Sequence, residues 1–331
     1  MCGIAGVINK KKTVNVGEQM GLMLQGLKHR GPDSTGYAMY GTPLKKGFVM
    51  RFKISENEAE KVNATVDSPD DLKNRKNAVD SILKKHGAKV TKESSSTPYA
   101  FRYIFDFKGD LTDLATEIET VEKTEILSIG KGLELIKDLG DANTVSNQYG
   151  LDKFMGTHGI GHTRMATESD VDIKSAHPYW AFPFEDVSVV HNGQLTNYWG
   201  NRRVLERKGY RFNSNCDSEI IAVYIADKMA NGIELEKAMH DSLDELDGVF
   251  TYVVATKDQL GMAKDHMAAK PMVIYESKDI VACASEEVAI RNIFPHEIKT
   301  YDPYEAEVKV CLLYTSPSPR DGTSSRMPSS A

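Results

Sequence analysis

The sequence predicts an α+β fold in which two layers of strands are enclosed by helices. Short apolar runs at Val249 to Ala255, Met272 to Tyr275 and Ile280 to Ala284 suit strands buried on both faces. Apolar residues recur at helical spacing through Val16, Met20, Met23, Leu24 and Leu27, through Ile220, Ile221, Tyr224, Ile225 and Met229, and through Leu235, Ala238, Met239, Leu243 and Leu246. Strands that bury both faces need cover on each side, and a second strand layer with outer helices supplies it.

Taken in chain order, Gly3 to Ile8 is an apolar run with two glycines and reads as a buried strand at the N-terminus. The helix over Val16 to Leu27 ends at the turn HRGPDSTG, and Tyr37 to Tyr40 begins a second strand. Residues 47–129 then read as a self-contained module. Phe48, Met50, Phe52 and Ile54 alternate with Val49, Arg51 and Lys53, the period of a half-buried strand. Ser68 caps a following helix, Pro69 takes its first position, Asp70 and Asp71 complement its dipole, and Gly87 stops it after Lys84, Lys85 and His86. Val90 lies in a short strand, SSSTP makes a turn, and Phe101, Tyr103, Phe105 and Phe107 line one side of a third strand. Leu111, Leu114, Ala115, Ile118 and Val121 give a second helix, and Thr124 to Ile129 a fourth strand. That order, β-α-β-β-α-β, is the ferredoxin-like arrangement. After the module come GIGHTRMAT, SAHPYW, SVVHNGQLTN and NSNCDSEI, polar or glycine-containing clusters beside apolar segments, where chemistry tends to sit. From Cys311 the composition turns to Ser and Pro without periodicity, so residues 311–331 read as a non-native tail of the kind left by adapter read-through, or else as a disordered native one.

Composition narrows the function. With 41 basic and 47 acidic residues interspersed, and a net charge of −6, the chain has no cationic footprint for nucleic acid. No run approaches the roughly 20 apolar residues of a membrane span, and MCGIAGVINKKK carries its basic residues on the wrong side for a signal peptide. Cys2, Cys216, Cys283 and Cys311 lie far apart, with no zinc or CxxC spacing, which suits a reducing, cytoplasmic setting. His29, His162, His177 and His191 lack i, i+4 spacing and read as hydrogen-bonded residues rather than metal ligands. Gly159 and Gly161 are only a fragment of a dinucleotide loop.

Removal of Met1 would leave Cys2 with a thiol and a free α-amine on one residue. An α-amine has a pKa of about 7.7 to 8.0, close enough to neutrality to serve as a general base. Alone, a cysteine at this position reads equally as a small apolar residue. In company it does not: MCGIAGVI, HRGPDSTG, GHTRMAT, AHPYW, HNGQLTN and CDSE occur in this order, and together they resemble the class II glutamine amidotransferases of the N-terminal-nucleophile hydrolase superfamily.

The resemblance covers residues 1–40 and about 156–310 and implies a four-layer αββα sandwich, discontinuous over 1–46 and 130–310, with 47–129 inserted. It implies that Cys2 is the nucleophile, that Asn192 and Gly193 form the oxyanion hole, and that Arg164 and Thr167 receive the glutamine α-carboxylate. Asp217 would receive the α-ammonium, while Arg30, Asp33 and His191 support the site. Read from the residues alone, Asn192-Gly193 suits a hairpin turn and Asp217 a helix N-cap. Two departures stand out. Met165 replaces the tryptophan that follows GHTR in sugar-phosphate amidotransferases, and Ala268 stands where glycine is common.

The implied reaction hydrolyses L-glutamine to L-glutamate and ammonia through a γ-glutamyl thioester and needs no cofactor. The arrangement resembles separate amidotransferase subunits of glutamate-synthase-like proteins, whose partner synthase, containing FMN and iron–sulfur clusters, would take the ammonia. The module over 47–129 is expected to dock or gate that partner and to contribute nothing to the acyl-transfer site, with its aromatic row forming its own core. The alternatives are a catalytically silent glutamine-sensing subunit and another N-terminal-nucleophile amide hydrolase.

Overall fold

Two antiparallel sheets stack face to face at the centre of the molecule. The computed structural model describes residues 2–55, 67–165 and 176–313. One sheet has seven strands in the order Thr300–Tyr301, Val273–Glu276, Ile280–Ala284, Gly3–Asn9, His158–Arg164, Ser34–Tyr40 and Leu133–Leu139. The other has five, ordered Tyr179–Trp180, Ser188–Leu195, Gly248–Ala255, Gln259–Lys264 and Val308–Leu312.

The period of the N-terminal strand explains its central place. Ile4 and Ile8 point between the sheets and pack with Val190 and Val253, whereas Ala5 and Val7 point outward against Met20 and Leu24 of the Val16–Gly26 helix. All four are fully buried, and each isoleucine contributes about 1.5 to 3 kcal/mol by leaving water. Between them, Gly6 lets the sheets close, since a Cβ there would lie 3.1 Å from both Cys283 Sγ and Val253 Cγ1.

Helices cover both outer faces, completing four layers. On the seven-stranded side lie Val16–Gly26, capped by Asn15, and Ala142–Tyr149. On the five-stranded side lie Asp217–Ala230 and Leu235–Glu245. Among the described residues no helix is long and apolar enough to cross a membrane.

Residues 48–130 form a further four-stranded antiparallel sheet ordered Lys89–Thr97, Ala100–Asp106, Phe48–Lys53 and Glu125–Gly130. The helices Pro69–Lys85 and Leu111–Ile118 cover one face, and Phe101, Tyr103 and Phe105 are buried with Val79, Leu83 and Leu114 in its core. Ser68 accepts from the Asp71 amide, and Asp71 accepts in turn from the Ser68 amide, a reciprocal capping box.

Three expectations are corrected here. The Phe48–Lys53 strand is buried on both faces, because its polar side docks on Leu133–Leu139: Arg51 and Arg102 pair with Glu134 at 2.7 Å, and Lys53 with Asp138 at 2.9 Å. Ser94 to Thr97 extend a strand rather than turning, and the turn falls at Pro98 and Tyr99. Cys311 and Leu312 continue the last strand, with Cys311 opposite Leu260, so the break expected at Cys311 falls inside an element. Residues 314–331 lie outside the described residues.

Candidate active site

Cys2 enters the N-terminal strand half-buried, and its carbonyl is held from two directions. Arg30 Nε donates to it at 3.1 Å and Asn192 Nδ2 at 3.2 Å. Two residues further in, the strand is fixed by Ser285, whose hydroxyl accepts from the Ile4 amide at 3.0 Å and whose amide donates to the Ile4 carbonyl at 2.9 Å. Arg30 is itself oriented by Glu286, 2.5 Å from Nη1, and the same carboxylate lies 2.9 Å from His29 Nε2. Burial pushes the Glu286 carboxyl up, but the hydrogen bonds from Arg30 and His29 outweigh it and hold the group below the usual carboxylate range.

Asn192 and Gly193 lie inside the Ser188–Leu195 strand, opposite Thr251 and Phe250, not in a hairpin turn. Gly193 has a φ of +148°, and a Cβ there would meet the Val249 carbonyl oxygen at 2.1 Å, so only glycine fits. An amide NH2 carries two donors, so the bond from Asn192 to Cys2 leaves a second N–H for another acceptor.

The Asp217–Ala230 helix is tied to that strand by its first residue. Asp217 Oδ2 accepts from the Leu195 amide at 2.7 Å, while Oδ1 lies 3.8 Å from His191 Nδ1. The N-cap position belongs to Cys216, so Asp217 is not the cap that its place in the sequence also allowed. Beside it the Ser218 hydroxyl bridges two imidazoles, 2.7 Å from His191 Nδ1 and 2.7 Å from His177 Nε2. His162 stacks edge-on against His177, with ring centroids 4.0 Å apart. Burial lowers all three histidines, His162 to about 3, despite the Asp217 charge facing His191. They are neutral at pH 7 and act as hydrogen-bonding groups.

Arg164 closes the His158–Arg164 strand next to this cluster and is 8% exposed. Its carbonyl accepts from the Asp33 amide at 3.1 Å, and Gly31 packs so closely that a Cβ would lie 2.3 Å from the Arg164 carbonyl carbon. The Asp33 carbonyl accepts in turn from Gly140 at 2.9 Å. Thr167 lies outside the described residues. The fold therefore gathers Cys2, Arg30, Asn192 and Gly193 in one cluster and joins Asp217 and His191 to it through the Ser188–Leu195 strand.

Sequence reasoning missed Ser285, Glu286 and Ser218. The pair Ser285-Glu286, directly after the apolar run Ile280 to Ala284, was the available signal, and for Ser218 it was its place beside Asp217. The module over 47–129, expected to contribute nothing to the acyl-transfer site, reaches the loop that leads to Asp217, where Glu119 bonds Arg211 and Asn213.

Comparison with known proteins gives a consistent picture. The family model described as "Glutamine amidotransferase domain" matches residues 162–292. The chain is 38% identical over 311 residues to the "Putative glutamine amidotransferase" of Methanothermobacter thermautotrophicus, covering 93% of this chain and 99% of the relative. It is 33% identical over 295 residues to the glutamine amidotransferase-like protein GlxB of Rhizobium meliloti, covering 88% and 92%. Among solved structures, glutamine phosphoribosylpyrophosphate amidotransferase from B. subtilis superimposes with a TM-score of 0.57 at 16% identity, over 94% of this chain and 47% of that one. The chain thus spans about half the length of that enzyme, and at this identity the likeness concerns the fold.

Proposed function

Because this chain belongs to the class II glutamine amidotransferases of the N-terminal-nucleophile hydrolase superfamily, we propose that it hydrolyses L-glutamine to L-glutamate and ammonia with Cys2 as nucleophile. The observation that carries this reading is the Cys2 carbonyl held by both Arg30 and Asn192, which joins the N-terminal residue to a strand 190 positions away.

The reaction begins when the Cys2 thiol attacks the glutamine Cδ and its α-amine, freed by loss of Met1, accepts the thiol proton. The amide oxygen becomes an oxyanion that accepts from Asn192 Nδ2 and the Gly193 amide. Collapse breaks the C–N bond, the α-ammonium returns its proton to the leaving nitrogen, and ammonia departs. Water then cleaves the γ-glutamyl thioester to glutamate and the free thiol. Arg164 and Thr167 bind the α-carboxylate of glutamine. Asp217 binds the α-ammonium, its carboxylate held in place by Leu195.

The ammonia passes to a separate synthase subunit of the FMN and iron–sulfur type, and the 47–129 module is an insertion that contacts it. Supporting the insertion, the flanking strands Ser34–Tyr40 and Leu133–Leu139 are adjacent and antiparallel, with Tyr40 opposite Leu133, so a short turn could join them. The test is ammonia release from glutamine, with and without co-purified partners, alongside the mass of the mature N-terminus. Protein that has lost Met1 yet releases no ammonia in either setting overturns the reading.

A further inference from the structure

Residues 208–216 lead from one helix to Asp217 with almost no backbone ladder of their own, so side chains hold them. Glu219 takes one side: Oε1 accepts from the Asn213 amide at 2.8 Å, and Oε2 from the Ser214 amide and hydroxyl at 2.9 and 2.7 Å. Ser214 Oγ then accepts from the Cys216 amide at 3.1 Å, one residue before Asp217. Glu119 takes the other side, and it belongs to the 47–129 module. Its Oε2 accepts from Arg211 Nη2 at 2.5 Å, and its Oε1 from Asn213 Nδ2 at 3.2 Å and from the Ile126 amide of its own sheet at 3.0 Å. The side chain is 9% exposed, and the Arg211 guanidinium also lies over the Phe182 ring, 4.1 Å from its centroid. One carboxylate therefore joins the module's helix end, the module's sheet and the loop before Asp217.

We propose that Glu119 is a positioning residue for glutamine, setting the Asp217 carboxylate through Arg211 and Asn213, so that the module acts on substrate affinity rather than on the acyl-transfer step. The proposal rests on the assignment of Asp217 to the substrate α-ammonium. It follows from connectivity: the module grips the loop through a charged pair whose carboxylate is buried, whereas Cys2 is held by Arg30 and Asn192 and the strand beyond it by Ser285 at Ile4. A partner that shifts the module would move Asp217 and leave the nucleophile in place.

The test uses the full chain with Met1 removed and compares wild type, Glu119→Ala, Arg211→Ala and the double variant. Each single change should raise the KM for glutamine about tenfold, with kcat within about threefold. The double variant should match Glu119→Ala, because removing Glu119 already cuts its bonds to both Arg211 and Asn213. Amide exchange at residues 213, 214 and 216 should accelerate in all three variants. Arg211→Ala leaves the module's own bonds intact and serves if Glu119→Ala fails to fold. A KM within twofold of wild type in the folded variants, or unchanged exchange at those amides, overturns the proposal, as does a lowered melting temperature with KM unmoved. Wild type that hydrolyses no glutamine would instead count against the hydrolase reading, with the exchange measurement still deciding whether Glu119 holds the loop.

Discussion

Asn192 Nδ2 donates to the carbonyl oxygen of Cys2 at 3.2 Å, so the group proposed for the oxyanion also positions the residue proposed as nucleophile. Asn192→Ala removes both effects. It should lower kcat by about 10² to 10³, with a much smaller change in KM, as expected for a donor used mainly in the transition state. Steady-state kinetics on glutamine decide it. A change confined to KM would move Asn192 into ground-state binding and the oxyanion hole elsewhere.

Cys2→Ala should abolish hydrolysis, by about 10³-fold or more, while leaving the circular dichroism spectrum unchanged, since only a small side chain is lost. A glutamine-like electrophile should label Cys2 and spare the other thiols. Burial raises Cys216 and Cys283, and raises Cys311 to about 11, so none of these presents much thiolate at pH 7. Peptide mapping that finds Cys216 labelled at the rate of Cys2 would remove the basis for assigning the nucleophile.

Ala268 occupies a left-handed conformation with φ of +51°, a backbone region that favours glycine. That conformation costs a non-glycine residue about 1 to 2 kcal/mol, against about 0.4 to 1 kcal/mol of added unfolded-state entropy for glycine. Ala268→Gly should therefore stabilise the protein by about 0.5 to 1 kcal/mol in urea unfolding. Gly193→Ala should act in the opposite sense, because its Cβ would overlap the Val249 carbonyl. A destabilised Ala268→Gly variant would mean that the turn is held by something other than backbone preference.

What the sequence made legible depended on whether an element declares its own burial. Val16–Gly26, Asp217–Ala230 and Gly248–Ala255 carry their apolar pattern locally and were found. Leu133–Leu139 was missed because Glu134, Lys137 and Asp138 are buried only through partners, namely the module's Arg51, Glu125 and Lys53. The Tyr198–Arg207 helix buries only Leu205, so it has no apolar face to read. At the site, Cys2 and Asn192 were paired through the family resemblance. Glu286 and Ser218 act through contacts from distant segments, which no local pattern records.

Acid should destabilise the fold before most carboxylates titrate. His158 donates Nε2 to the Thr256 carbonyl at 2.7 Å, and burial lowers it to about 4 and His162 to about 3, with His177 and His191 also lowered. Between the unfolded value near 6.5 and these lowered values, the unfolded chain binds more protons than the native one. Stability is then fully present above pH about 6.5 and falls as pH drops, by up to about 1.4 kcal/mol per pH unit for each histidine. Urea midpoints from pH 7.5 to 4.5 should decline, and His158→Gln should make the decline shallower by one proton. A flat profile over that range would contradict the neutral, buried assignment.

The interface between the module and the main sheet should respond unequally to loss of its two central charges. Lys53 and Asp138 are 2% and 0% exposed at the side chain and 2.9 Å apart. Burial lowers the Lys53 ammonium, opposed by the Asp138 charge. Asp138 has other donors, namely Tyr149 at 2.6 Å, the Leu139 amide at 2.9 Å and Tyr99 at 3.0 Å, so it remains satisfied without the lysine. Lys53 depends on Asp138 for its nearest counter-charge. Asp138→Ala should therefore cost about 3 to 5 kcal/mol, because a buried ammonium and two tyrosine hydroxyls lose their acceptor. Lys53→Met keeps the length and apolar stem of the side chain and should cost only about 1 to 2 kcal/mol. Urea unfolding of the full chain measures both. Equal losses, or a larger loss for Lys53→Met, would mean that the lysine and not the carboxylate organises this interface, and amide exchange would then show the Phe48–Lys53 strand opening before Leu133–Leu139.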